Sequence, residues 1–148
     1  MRVVATYNLK GGVGKTSTAV NLSYLAARDR RRTLLWDLDP QGAASYCFRI
    51  RPRIAGSGRE LIRGKLVLDQ LIKGTDFEGL DLLPADFSYR KLDIALDAEK
   101  KPSRRVARLL AALVERMSEA RAPLPVLAPS SPASRAYEAL WSETVGRL

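Results

Sequence analysis

Lys10-Gly11-Gly12-Val13-Gly14-Lys15-Thr16 places two lysines, three glycines and a hydroxyl within seven residues, a spacing suited to holding a polyphosphate. Glycines let the backbone bend without a Cβ clash, so successive N–H groups turn toward one point. A helix opening there adds unpaired amide donors and the positive end of its dipole. Lys15 would reach the β- and γ-phosphates, and the Thr16 hydroxyl would complete a Mg²⁺ coordination sphere. The chemistry read from the heptad is Mg-nucleotide binding, with Gly11, Gly12, Val13, Gly14, Lys15 and Thr16, together with the following Ser17, as the contacts. The pattern departs from G-x-x-x-x-G-K-[ST] at its first position, where Leu9 stands, and it carries an additional cation in Lys10.

A second block, Asp37-Leu38-Asp39-Pro40-Gln41-Gly42, follows the apolar run Thr33-Leu34-Leu35-Trp36. The run reads as a buried parallel strand that Pro40 and Gly42 bring to an end. Loops at the carboxyl ends of parallel strands line the ligand crevice, so both carboxylates are expected to face the bound phosphates. There they would hold the metal's waters or orient an attacking one. The plainer alternative is an Asp-Pro turn with a solvated acid.

Together the blocks resemble the ParA/MinD-type ATPases, DNA-partition and cell-division switches with a deviant Walker A loop, and they are similar to the ParA branch in particular. The resemblance rests on Asn8 through Thr16, Ala19-Val20-Asn21-Leu22 and Asp37 through Gly42, with weaker support from Leu83-Pro84-Ala85 and Tyr89-Arg90-Lys91-Leu92. Leu9 and Ser17 vary from the commonest family text. The resemblance implies ATP and Mg²⁺ as cofactors and an ATP-dependent homodimer. In it, Lys10 reaches the partner's phosphates while Lys15 and Thr16 serve their own nucleotide. It implies Asp39 as the catalytic carboxylate that positions the hydrolytic water and Asp37 as the acid supporting the Mg²⁺ shell. Non-specific DNA and a centromere-binding protein are the partners it leaves open, and a cytoplasmic location, with nucleoid association as an option, is the expectation. The family's Walker B-like apolar strand does not follow the helix expected from about residue 104 to 120. Ala122-Pro123-Leu124-Pro125 occupies that place, and the family's C-terminal portion is likewise missing.

Positioning these groups requires an α/β fold, a P-loop-like, mostly parallel sheet flanked by helices, incomplete relative to the family. The alternation predicts strands over residues 2–7, 33–36 and 80–83. Helices are expected over 15–28, near 43–48 and 67–72, from 104 with Ser103 as N-cap, and over 133–147. In the helix from 104, Val106, Leu109, Leu110, Leu113, Val114 and Met117 form one stripe, expected to cover the sheet. Four prolines make residues 122–132 an edge or loop. Pro52, Gly56, Gly58 and a run of charge mark residues 50–64 as a mobile loop. The 148 residues suffice for one domain, 1–148, with a core that needs no metal or disulfide.

Cys47 is the single cysteine, which rules out an intramolecular disulfide and weakens an iron–sulfur reading, and no histidine is present to carry acid–base chemistry. No leader and no 18-residue apolar segment is seen, so no membrane association is expected. Ala136, Leu140, Trp141 and Val145 share a face of the last helix, with core packing weighed above membrane targeting because that helix is not cationic. Lys and Arg total 25 against 16 Asp and Glu, a net charge of +9. Two basic clusters, Arg49 to Lys65 and Lys100 to Arg108, stand equally as DNA contacts or as solvated basic faces. Two functional classes remain open: a hydrolysing switch, or a nucleotide-binding module without turnover.

Overall fold

The computed structural model describes residues 3–116 and 142–146. Its centre is a short mixed sheet in the order β1-β3-β2, built from β1 (Thr33–Trp36), β2 (Lys73–Gly74) and β3 (Leu80–Leu83). β1 lies parallel to β3 with Thr33 opposite Leu80 and Trp36 opposite Leu83, while β2 runs antiparallel to β3.

Side chains alternate across a strand, so the period of two divides the core into halves. Leu35, Leu80 and Leu82 face one way, onto Val20 and Ala27 of α1 (Lys15–Arg28) and onto Phe48, which closes α2 (Ala43–Cys47). Phe77 completes this half by edge contacts with the rings of Tyr24 and Phe48. Leu34, Trp36 and Leu83 face the other way, onto Ile54, Leu61 and Ile62 of α3 (Gly58–Ile62), Leu71 of α4 (Leu68–Leu71) and Tyr89 in a 3₁₀ turn (Phe87–Lys91). Leu92 and Leu96 of α5 (Leu92–Asp97) and Leu109 of α6 (Pro102–Arg116) cover this second half. The outward face of α1, through Leu25 and Ala26, meets Val145, where residues 142–146 are helical.

Four expectations are corrected. Residues 3–7 form no strand: Val3 is 57% exposed and Tyr7 80%. An apolar run becomes a strand only with a ladder partner and a covered face, and β3 already has β1 on one edge and β2 on the other. Residues 50–64 are not a loose loop, because Ile54, Leu61 and Ile62 are core residues and Ser57 caps α3 in a reciprocal pair with Glu60. Asp86 fastens the same stretch from a distance by accepting the Ile54 N–H at 3.1 Å. α6 begins at Pro102, so Ser103 lies inside its first turn rather than capping it; proline's fixed φ suits that first position. Finally, α6 packs on α3 and α4, and its buried Leu109 joins the half of the core that also holds Leu83; the side chains of Leu113, Val114 and Met117 lie outside the described residues. The proline-rich residues 122–132 and the face formed by Ala136, Leu140 and Trp141 lie outside the described residues.

Candidate nucleotide site

The loop before α1 is shaped by backbone conformation. Gly12 (φ +72°) and Gly14 (φ +85°) take left-handed turns that residues with a Cβ rarely adopt. A Cβ built on Gly11, Gly12 or Gly14 would meet nothing within 4 Å, so no other part of the chain packs against these positions. Gly14 stands at the N-cap of α1 and offers no side chain to the first-turn amides; the first backbone bond of the helix runs from the Thr18 N–H to the Gly14 carbonyl at 2.8 Å. Lys15, Thr16 and Ser17 head a helix of 14 residues and carry its positive dipole end. The Lys15 ammonium folds back to donate to the Lys10 carbonyl at 3.0 Å, across the mouth of the loop, and the Lys10 N–H donates to the Asn8 Oδ1 at 2.9 Å.

α1 returns through residues 29–32 into β1 and packs against it, so the helix and the strand run in opposite directions. The amino end of α1 therefore shares an end of the sheet with the carboxyl end of β1, where Asp37 and Asp39 emerge. That is the crevice expected for an open α/β sheet.

The two acids differ sharply. Asp37 is 5% exposed, and its Oδ2 accepts both the Ser45 N–H at 2.8 Å and the Ser45 hydroxyl at 2.7 Å. Its Oδ1 accepts only the Asp39 N–H at 3.2 Å, and the Ser45 oxygen in turn accepts the Ala85 N–H at 3.0 Å. A buried carboxylate is tolerated because every donor around it is aimed at it. Asp39 is exposed, its carboxylate held by the Gln41 N–H at 2.9 Å and its carbonyl by the Gly42 N–H at 2.9 Å. Gly42, at φ +69°, opens α2 and touches Pro52 so closely that a Cβ would lie 2.5 Å from the proline ring.

These residues suit Mg-ATP on two counts: an uncrowded glycine turn and, at the same end of the sheet, an acid with one lightly used oxygen. Lys15, Thr16 and Ser17 share one turn of helix, and Asp37 and Asp39 share one loop. Lys10 and Val13 are exposed at the rim. Sequence reasoning missed Ser45, whose role depends on Asp37 eight residues away and on Ala85 forty residues away. It also missed Asp86, which caps the 3₁₀ turn through Ser88 and anchors Ile54. Burial works against ionisation of Asp86, but hydrogen bonds from Ser88 and Ile54 and the nearby Arg53 guanidinium together hold its carboxyl below the ordinary range. Burial pushes the Tyr89 phenol up to about 12, and its hydroxyl donates to the Pro84 carbonyl.

A glycine turn opening a helix, packed on parallel strands with acids at a carboxyl end, defines an α/β domain of the P-loop class. A family profile described as "AAA domain" matches residues 1–118. The chromosome partitioning protein ParA of Caulobacter vibrioides is 38% identical over 115 residues, covering 76% of this chain and 43% of that protein. The sporulation initiation inhibitor protein Soj of Bacillus subtilis is 35% identical over 96 residues, 64% of this chain and 38% of Soj. Among solved structures, cobyrinic acid a,c-diamide synthase of Mycobacterium smegmatis, with a bound ATP analog and magnesium, superposes with a TM-score of 0.67 at 34% identity. That match covers 76% of this chain and 46% of the synthase. The chain belongs to this AAA-domain family, among its ParA/MinD-type ATPases. It spans less than half the length of the curated relatives it matches. Among the described residues, no helix is long and apolar enough to cross a membrane.

Proposed function

We propose that this chain binds Mg-ATP on the Gly11–Ser17 loop and acts as a ParA-like, nucleotide-dependent dimerisation switch in DNA partition. The observation that carries the reading is the exposed glycine turn at the head of α1, with two left-handed glycines and nothing within 4 Å of their missing side chains. In support, Caulobacter and Bacillus relatives carry partition and Soj names, and a structural relative holds an ATP analog with magnesium. Loop amides and Lys15 would take the phosphates, and Lys15 would exchange its contact with the Lys10 carbonyl for the γ-phosphate. Thr16 and the lightly used Oδ1 of Asp37 would hold Mg²⁺, which supplies neutralisation of phosphate charge. Exposed Asp39 would orient the hydrolytic water, and exposed Lys10 would reach a second copy's nucleotide. Such stabilisation is mainly electrostatic. We place the protein in the cytoplasm on nucleoid DNA, with a centromere-binding protein as partner.

A second reading, a nucleotide-binding module without turnover, as a single 1–148 domain lacking the Walker B-like strand, is favoured by Asp37. Three protein donors already claim that acid, so its capacity to support a metal rests on one oxygen. Equilibrium binding of a fluorescent ATP analogue with Mg²⁺, followed by single-turnover hydrolysis, tests both readings. Lys15→Ala abolishes binding in either case. Asp39→Ala keeps binding and lowers turnover at least tenfold if the chain is an enzyme, and changes nothing measurable if it is a module. Unaltered ATP affinity in Lys15→Ala would overturn the nucleotide reading altogether.

A further inference from the structure

The sequence offers two basic clusters, Arg49 to Lys65 and Lys100 to Arg108, and the fold sorts their members. Arg49 pairs with Asp76 at 3.6 Å and Arg63 with Glu99 at 3.6 Å. Arg105 turns inward to donate to the Ile62 carbonyl at the end of α3. Arg51, Arg53 and Lys73 have a different setting. They line a cleft of about 700 Å³ between residues 50–56 and the Gln70–Lys73 segment. Its one carboxylate, Asp86, stays ionised and attracts Arg53, so three cations against one anion leave the cleft net positive. Lys73 is held in place by donating to the Gln70 carbonyl at 2.8 Å.

A second cleft of about 590 Å³ adjoins the first, sharing Ile50 and Arg51 with it. Ile50, Pro52 and Cys47 give it an apolar side and Arg49 and Arg51 a cationic one, and Tyr46, 82% exposed on α2, lines it too. An aromatic ring left that open, beside an apolar slot and next to a row of cations, answers no packing need of the core. Cations that track a phosphate backbone, with an aromatic ring on which an unpaired base can stack, are the elements by which proteins hold single-stranded nucleic acid. A duplex hides its base faces and would leave Tyr46 without a partner. A free polyphosphate would use the arginines and ignore the ring.

We propose that these joined clefts form a binding site for single-stranded nucleic acid, with Arg51, Arg53 and Lys73 on the phosphates and Tyr46 stacked on a base. The proposal rests on the partition reading only in naming nucleic acid as the partner; the site lies apart from the glycine loop.

Fluorescence anisotropy of a labelled oligothymidylate tests it on the full chain. Arg51→Glu with Arg53→Glu weakens binding at least tenfold, and the wild-type log–log salt slope is about 0.7 per phosphate neutralised, the single-strand value. Tyr46→Ala weakens binding about 5- to 150-fold, as expected for one stacked base, and Tyr46→Phe restores it. Lys15→Ala leaves oligonucleotide binding intact, separating this site from the nucleotide loop. Three results overturn the proposal: no effect of Tyr46→Ala, unchanged binding in the double arginine variant, or equal competition by duplex and by inorganic tripolyphosphate. Failure of the wild-type chain to bind any nucleic acid would remove the DNA partner as well, whereas binding that ignores these substitutions would leave that partner standing and move its contact elsewhere.

Discussion

Gly12 and Gly42 adopt nearly the same left-handed backbone, φ +72° and +69°, in opposite surroundings. Around Gly12 there is nothing within 4 Å of where a side chain would begin; at Gly42 a Cβ would run into Pro52 at 2.5 Å. The first glycine belongs to a turn against which no other part of the chain packs at that position. The second belongs to a turn already filled by the protein, where Asp37, Ser45 and Ala85 satisfy one another in the core. One half of the candidate site is thus uncrowded by protein and shaped by local backbone, and the other is packed and shaped by distant partners. Mutations should therefore register in different assays: ligand binding for the loop, folding stability for the acidic turn.

Asp37→Ala should have the largest effect on folding. It strands the buried Ser45 N–H and hydroxyl, at a cost of about 3 kcal/mol in urea unfolding. If the loss is under about 0.5 kcal/mol, the contrast between the halves collapses. Gly42→Ala combines left-handed strain with overpacking against Pro52 and should cost about 3 kcal/mol, whereas Gly12→Ala, with strain alone, should cost about 1 kcal/mol. Equal losses for the two alanine variants would mean that conformation, not crowding, governs both turns.

The strand at residues 33–36, the long first helix and the glycine loop were legible because each is written in a short window: an apolar run, a periodic face, a heptad. The strand expected at residues 2–7 failed because pairing is a non-local property, and its valines are equally apolar with or without a ladder neighbour. Arg105 read as surface charge because nothing in its own segment reveals the Ile62 carbonyl, 43 positions earlier, to which it donates. The carboxylates Asp37 and Asp39 were found together by the same Asp-Leu-Asp-Pro text, but their separate fates, one buried and one exposed, are set by Ser45 and by the turn around Gly42.

A smaller effect comes from two half-buried acids outside either turn. Asp86 has its carboxyl held below the ordinary 3.8, so its ionised form adds stability that is present above that value and lost as pH falls through the folded one. Asp81 is shifted the other way by burial, against the pull of the Arg32 guanidinium, so its contribution is full below 3.8 and declines as pH rises through its folded value. Asp86→Asn should therefore destabilise at pH 7 and Asp81→Asn stabilise, with both differences shrinking toward pH 3 in urea titrations. A destabilising Asp81→Asn would show that its carboxylate has a partner worth more than its burial.

The smallest effect is expected at the amino terminus. Val4→Thr removes apolar surface that is 53% exposed and should change stability by no more than about 0.5 kcal/mol. A loss above about 1 kcal/mol would mean that this stretch is less detached than its exposure indicates.

That uncovered stretch bears on how the protein behaves in concentrated solution. Val3, Val4, Ala5, Thr6 and Tyr7 carry no charge and no proline, and they favour extended backbone, the composition from which intermolecular sheets grow. With no strand laid over them, self-association in this chain should begin at its first few residues, and a lysine placed at Val4 should keep it dispersed.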